Sequence, residues 1–241
     1  MEISFSRYRI YRECPWKYKL QFLEGRRPPM DPSSSLGLTL HRALERYHRA
    51  GEPEWRALAD AFDLEFLRSG YPDASTRAQW SQKGIRILKK YFESELSRRT
   101  EVVGSEREFF FPLGKHTVRG MIDRIDRHPD GRLEIIDYKT RFGLGPNDPA
   151  PGPEAADLQL RFYALGCKEG LRCEPALLSV HYLAAGRVET RPYDASKEEA
   201  LKADIVAVAD AIEAGRFGPE TSFCRRCGFR NDCAFSVARD A

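Results

Sequence analysis

Asp137 and Lys139 flank Tyr138 at the end of the apolar run Leu133-Glu-Ile-Ile. In an extended strand residues i and i+2 share a face, so the carboxylate and the ammonium project together and Tyr138 projects away. Alone, such a pair reads as a surface ion pair. A second carboxylate upstream changes that reading. Gly120-Met-Ile-Asp123-Arg-Ile-Asp126 is strand-like, and Pro129-Asp130-Gly131 supplies a turn that folds the two segments into a hairpin. Asp123 and Asp137 could then meet on one hard cation, Mg²⁺ or Mn²⁺, which oxygen ligands favour. Asp126 has the opposite strand parity and is expected to lie outside the ligand set. Lys139 would hold a fixed positive charge near a phosphate or an attacking water, a set suited to phosphodiester hydrolysis.

Further chemistry-bearing residues lie on predicted helices. Gly37-Leu-Thr-Leu-His41 places a histidine beside the apolar face Leu40, Leu44 and Tyr47, on one face with Glu45. Gln159 and Tyr163 are one helical turn apart. Each feature alone fits ordinary helix packing. Cys224, Cys227 and Cys233 form C-x₂-C-x₅-C, three thiolates able to take three sides of a metal site. A fourth ligand would come from Cys14, Cys167 or Cys173, and four thiolates suit zinc or an iron–sulfur cluster.

These residues need elements to position them. A helix is expected over Ser4–Phe22, then a Pro/Ser loop at Pro28–Ser35, then helices over Leu38–His48, Glu54–Arg68 and Arg77–Arg98. Strands are expected over Val102–Pro112, Thr117–Arg127 and Arg132–Thr140, followed by a Gly/Pro-crowded loop over 141–153 that includes Gly143-Leu-Gly145. Ala155–Gly166 reads as a helix, Leu177–Ala184 and Arg187–Tyr193 as a hairpin around Gly186, and Ser196-x-x-Glu199 as a capping box opening a helix that ends at Gly215. The order predicts an α/β fold with a mixed central sheet.

The 241 residues carry 39 basic and 36 acidic side chains, a net charge of +3 that does not by itself announce a nucleic-acid binder. Residues 1–27 are locally basic, with seven Arg/Lys against three Glu, and Arg7 and Tyr8 could grip a single strand by charge and stacking. No apolar run approaches the roughly 20 residues of a membrane span, and no secretory apolar region follows Met1, so a cytoplasmic location is expected. Six cysteines in such a chain point to metal or redox chemistry, and no phosphate-binding G-x-x-x-x-G-K-[ST] loop is present.

Taken in order, Gly-x-x-x-His, Gly-x-x-Asp-Arg-Ile-Asp, Ile-Ile-Asp-Tyr-Lys-Thr and Gln-x-x-x-Tyr resemble the RecB-like branch of the PD-(D/E)XK nucleases. The resemblance spans roughly Ser4 to Phe235. It implies a restriction-endonuclease-like core, with His41, Asp123, Asp137 and the backbone carbonyl near Tyr138 as metal ligands. It also implies Lys139 as the catalytic lysine, with Gln159 and Tyr163 beside the active site. Cys14-Pro near the start and the C-terminal trio resemble the iron–sulfur subgroup, which includes the AddB nuclease domain and CRISPR-associated adaptation nucleases. That implies a [4Fe–4S] cluster on Cys14, Cys224, Cys227 and Cys233, tying the chain ends together, with Cys167 and Cys173 left as buried or spare thiols.

One nuclease domain is therefore expected over 1–241. It comprises a Cys-bearing segment (1–36), a helical lobe (37–100), the nuclease core (101–215) and a Cys-rich tail (216–241). The implied activity is a metal-dependent deoxyribonuclease, an exonuclease on single-stranded DNA ends, in repair, recombination or CRISPR adaptation. A helicase or integrase-type partner fits a chain without its own motor. The alternative is a catalytically silent or partner-dependent DNA-binding subunit.

Overall fold

The computed structural model describes residues 1–140 and 153–239. The chain divides into two compact units. One comprises Met1–Pro29, Phe110–Gly120 and Asp194–Ala241, and the other Met30–Phe109 and Met121–Tyr193. Strands β2 (Glu101–Leu113) and β3 (His116–Arg127) run from one into the other.

In the second unit, α3 (Pro32–Ala50), α4 (Trp55–Glu65) and α5 (Ala74–Glu95) pack on one another. Their apolar faces, including Leu36, Leu40, Leu44, Leu58, Phe62 and Leu88, share a core with Ile136 and Tyr138 of β4 (Leu133–Lys139). The helix α3 starts earlier than its apolar period suggests. Pro32 takes the first helical position, where its missing N–H costs nothing, and Asp31 caps the Ser34 N–H at 2.7 Å, so Ser33–Ser35 are helical rather than loop. The helix α5 likewise starts at a capping Asp73.

The β3–β4 hairpin forms at the expected turn, with Gly131 at φ 86° where a left-handed residue is needed. The helix α6 (Pro153–Glu169) packs on β4 and β5 (Pro175–Tyr182), which pair in parallel, and β6 (Arg187–Pro192) closes the sheet antiparallel to β5. The sheet is thus mixed, as expected. Residues 141–152, with Gly143 and Gly145, lie outside the described residues.

In the first unit, β1 (Glu2–Ser4) pairs in parallel with the start of β3. The expected helix over Ser4–Phe22 is broken. Ser4 caps α1 (Phe5–Glu13), Cys14 is extended at φ −166°, Pro15 opens α2 (Pro15–Tyr18), and a π-type turn covers Lys19–Leu23. Proline cannot continue the preceding helix but suits the first turn of the next. The expected capping box is not used. Asp194 accepts the Ser196 N–H at 3.0 Å and caps a short 3₁₀ turn, from which α7 (Glu198–Glu213) continues. No helix among the described residues is long and apolar enough to cross a membrane.

Two expectations for individual side chains fail. Tyr8 is buried with its hydroxyl on Asp204, while Arg7 donates to Tyr18 Oη at 2.9 Å and lies 4.9 Å over the Phe22 ring. Arg9 and Lys17 pair with Glu13, and Arg12 with Asp204. Tyr8 is therefore closed to a strand, and Arg7 is held against Tyr18 and Phe22 within its own unit. Cys167 and Cys173 are not spare thiols but a disulfide, their Cα atoms 5.3 Å apart across the turn after α6.

Candidate active site

A close approach between α3 and the end of β4 sets the site. A Cβ on Gly37 would fall 2.6 Å from Thr140 Oγ1, so a larger residue there forces the Thr140 side chain or the helix to shift. One turn later His41 reaches β3, its Nδ1 3.5 Å from Asp123 Oδ2. Asp123 Oδ2 also accepts the backbone N–H of Tyr138 at 2.9 Å, which ties the carboxylate of one strand to the backbone of the next. Asp137 is buried, and Lys139 Nζ lies 2.7 Å from its Oδ2 as an ion pair. That oxygen has no aligned hydrogen-bond donor. Strand alternation thus does what the sequence implies: Asp137 and Lys139 share a face, and the Tyr138 ring joins the core on the other.

The helix α6 holds the lysine. Lys139 Nζ donates to Gln159 Oε1 at 2.6 Å, and Gln159 Nε2 donates to Tyr163 Oη at 2.8 Å. Gly166 lets α6 come close to β2, since a Cβ there would lie 2.4 Å from the Phe109 ring. All six sequence-selected residues of this region therefore meet. Asp126 lies on the opposite side, ion-paired with Arg124 and Arg98.

Sequence reasoning missed one member, Glu106. One ligand atom from each of His41, Glu106 and Asp123 lies within 4.8 Å of the others. Phe109 and Phe111 are buried, so strict alternation along β2 would turn Glu106 outward. Instead Glu106 adopts φ 45°, and Arg107 and Glu108 are exposed in succession. A left-handed residue inside a strand shifts the alternation as a bulge does and aims Glu106 at the site. Nothing local in the sequence signals it.

The site is short of positive charge. Burial pushes Glu106 up to about 8, with Asp123 and Glu45 adding to the rise. Burial raises Asp137 to about 6, against the pull of Lys139 and with a further push from Asp123. Burial, then Asp123 and Asp137, hold the Tyr163 phenol well above its ordinary range. Three carboxylates and an imidazole form a donor set suited to a hard divalent cation.

The cysteines gather elsewhere. Cys14, Cys224, Cys227 and Cys233 line one cavity of the first unit, together with Trp16 and Phe235. Cys14 Sγ accepts two backbone N–H groups, from Lys17 at 3.4 Å and Glu220 at 3.3 Å. Cys14 takes this place because the helix breaks before Pro15, and Cys224 lies on a 3₁₀ turn over Thr221–Arg226.

Residues 2–234 match the family model of the PD-(D/E)XK nuclease superfamily. The chain belongs to that superfamily. Among curated relatives of this nuclease chain is an ATP-dependent helicase/deoxyribonuclease subunit of Streptococcus equi subsp. zooepidemicus. It is 28% identical over 154 residues, covering 58% of this chain and 14% of that protein. The subunit of the same name from Streptococcus pyogenes serotype M3 is 27% identical over 163 residues, 60% of this chain and 15% of that protein. This nuclease-family chain thus spans about one seventh of the length of the curated relatives it matches. The crystal structure of SSO0001 superposes with a TM-score of 0.42 at 19% identity, over 82% of this chain and 86% of that one. Membership of the superfamily agrees with the mixed sheet flanked by helices.

Proposed function

We propose that the chain is a divalent-metal-dependent deoxyribonuclease, acting as an exonuclease on single-stranded DNA ends. The observation that carries the reading is the convergence of His41, Glu106 and Asp123 within 4.8 Å, beside the buried Asp137–Lys139 pair. His41, Glu106, Asp123, Asp137 and the Tyr138 carbonyl would hold the cation. A bound Mg²⁺ or Mn²⁺ supplies Lewis acidity toward the scissile phosphate and lowers the pKa of a coordinated water. Lys139, held by Gln159, places a positive charge where the attacking water and the phosphate oxygens meet. Tyr163 stays protonated and fixes the Gln159 amide, so that Gln159 Oε1 faces the lysine.

The four cysteines would hold a [4Fe–4S] cluster. Two N–H groups on Cys14 Sγ suit a thiolate ligand, because such bonds stabilise charge on metal-bound sulfur. Four thiolates would also suit tetrahedral zinc, and the metal content of the purified protein separates the two. The role of the cluster is structural, since hydrolysis transfers no electron. The relatives are subunits of a helicase/deoxyribonuclease, which supports DNA as substrate and a helicase-type partner. An integrase-type partner, as in CRISPR adaptation, draws only on the family resemblance.

The test is cleavage of end-labelled single- and double-stranded DNA with Mg²⁺ or Mn²⁺. Asp137→Ala and Lys139→Ala should abolish cutting while DNA binding persists. Wild-type rates in either variant, or no cutting by cluster-loaded wild type, would overturn the assignment and leave a binding subunit.

A further inference from the structure

Arg124 and Asp126 belong to the same short motif as Asp123, yet neither faces the cation site. Arg124 is among the most completely buried large side chains of the protein, at 1% exposure, and an unpaired guanidinium could not remain there. Its Nε and Nη2 donate in parallel to the two oxygens of Asp126, at 2.5 and 2.6 Å. Its Nη1 donates to Glu95 Oε2 at 2.6 Å and Tyr91 Oη at 2.7 Å, and reaches Tyr138 Oη at 3.4 Å. Tyr91 and Tyr138 share a hydroxyl contact of 2.9 Å, and His48 Nε2 lies 2.7 Å from Tyr91 Oη. Asp126 also accepts from Arg98 at 2.9 Å and Thr100 at 2.6 Å.

The position of this network matters because of where the β3–β4 ladder ends. Paired residues run from Arg127–Leu133 to Arg124–Ile136 and stop one step short of Asp123 and Asp137. Beyond that point, two contacts among the described residues tie Tyr138 to its surroundings at the carboxylates. The Tyr138 N–H reaches Asp123 on the site face, and the Tyr138 hydroxyl meets Tyr91 and Arg124 on the far face. The Tyr138 backbone also lies between Asp137 and Lys139, so a ring shift that moves the backbone displaces both.

The geometry points to Arg124 as a positioning residue: by anchoring Tyr138 and Asp126 on the far face, it fixes the spacing of Asp123, Asp137 and Lys139. The inference rests on the metal-site reading above. Lysine would keep the charge but lose the planar fork that serves Asp126 and the two tyrosines together. Supporting residues of this kind change metal affinity or activity by about 10- to 100-fold when altered.

Arg124→Lys and Tyr138→Phe are the test variants. Arg98→Lys is the control, since Arg98 pairs with Asp126 and Glu134 of the same buried charge set, with no bond to either tyrosine. Three readouts apply to the full chain: hydrogen exchange of the Tyr138 amide without metal or DNA, Mn²⁺ affinity by calorimetry, and kcat against KM on single-stranded DNA. The expected result is faster Tyr138 exchange in both test variants, with Mn²⁺ affinity and kcat lower by about tenfold or more and KM within about twofold. Arg98→Lys, matched for lost thermal stability, should leave the Tyr138 amide protected. Wild-type protection of that amide in Tyr138→Phe overturns the inference, even if Arg124→Lys fails to fold. So does equal exposure of the amide in Arg98→Lys. A wild type that neither binds Mn²⁺ nor cuts DNA refutes the nuclease reading instead, and the amide exchange still decides the role of Arg124.

Discussion

Glu106→Gln keeps the shape of the side chain and removes the charge that the site finds hardest to hold. With Glu106 raised to about 8, its ionised fraction is about 3% at pH 6.5 and about one half at pH 8. A cation needs the ionised form, so the wild-type affinity for Mn²⁺ should rise roughly fifteen-fold over that interval, and Glu106→Gln should remove most of the rise. The stability of the metal-free protein carries the opposite sign. A carboxyl raised from 4.5 to about 8 binds more protons folded than unfolded between those values, so the fold loses stability as pH climbs through that window. His48 and His181, both lowered to about 3 by burial first and Arg124 or Arg98 next, act the other way, but only below their unfolded value of 6.5. From pH 7 to 8 Glu106 therefore governs. Calorimetric titration with Mn²⁺ at pH 6.5, 7.2 and 8, alongside melting in chelator, measures both effects. Equal pH slopes of affinity in wild type and Glu106→Gln, or a melting temperature that does not fall above pH 7 in chelator, would refute the reasoning.

Two further predictions concern backbone approach and sulfur. Gly37→Ala puts a methyl 2.6 Å from Thr140 Oγ1, so either the Thr140 side chain turns away or α3 retreats, and a retreat carries His41 away from Asp123. Cleavage should fall at least about tenfold, because ligand geometry tolerates only fractions of an ångström. Adding Thr140→Ala should restore much of the rate, and no rescue by the double variant would argue against this contact. Cys227→Ser should remove broad absorbance near about 400 nm from anaerobically purified protein, since it deletes a thiolate ligand of the cluster. It should also lower the melting temperature, and a colourless, zinc-containing wild type would overturn the cluster.

Much of the site was legible because its residues obey strand and helix periodicity. Asp137 and Lys139 share a face through the two-residue repeat, Gln159 and Tyr163 through one helical turn, and the Pro129–Gly131 turn pairs the strands as read. The breaks in the first helix and the early start of α3 were harder. Pro15 and Pro32 are ambiguous in sequence, since proline both ends one helix and opens another, and the cap that decides is a side-chain bond.

The sequence by itself determined the order of elements, the parity that separates Asp123 from Asp126, and the four short motifs that mark a nuclease. Tertiary structure alone decided that Glu106 joins His41 and Asp123, because a single left-handed residue reverses the alternation of β2. It alone decided that Arg7 and Tyr8 are occupied and that Cys167 meets Cys173. Periodicity specifies which face of its own element a side chain occupies. Which other element that face meets depends on contacts between residues far apart in the chain, such as Gly37 against Thr140 and Arg124 against Tyr91.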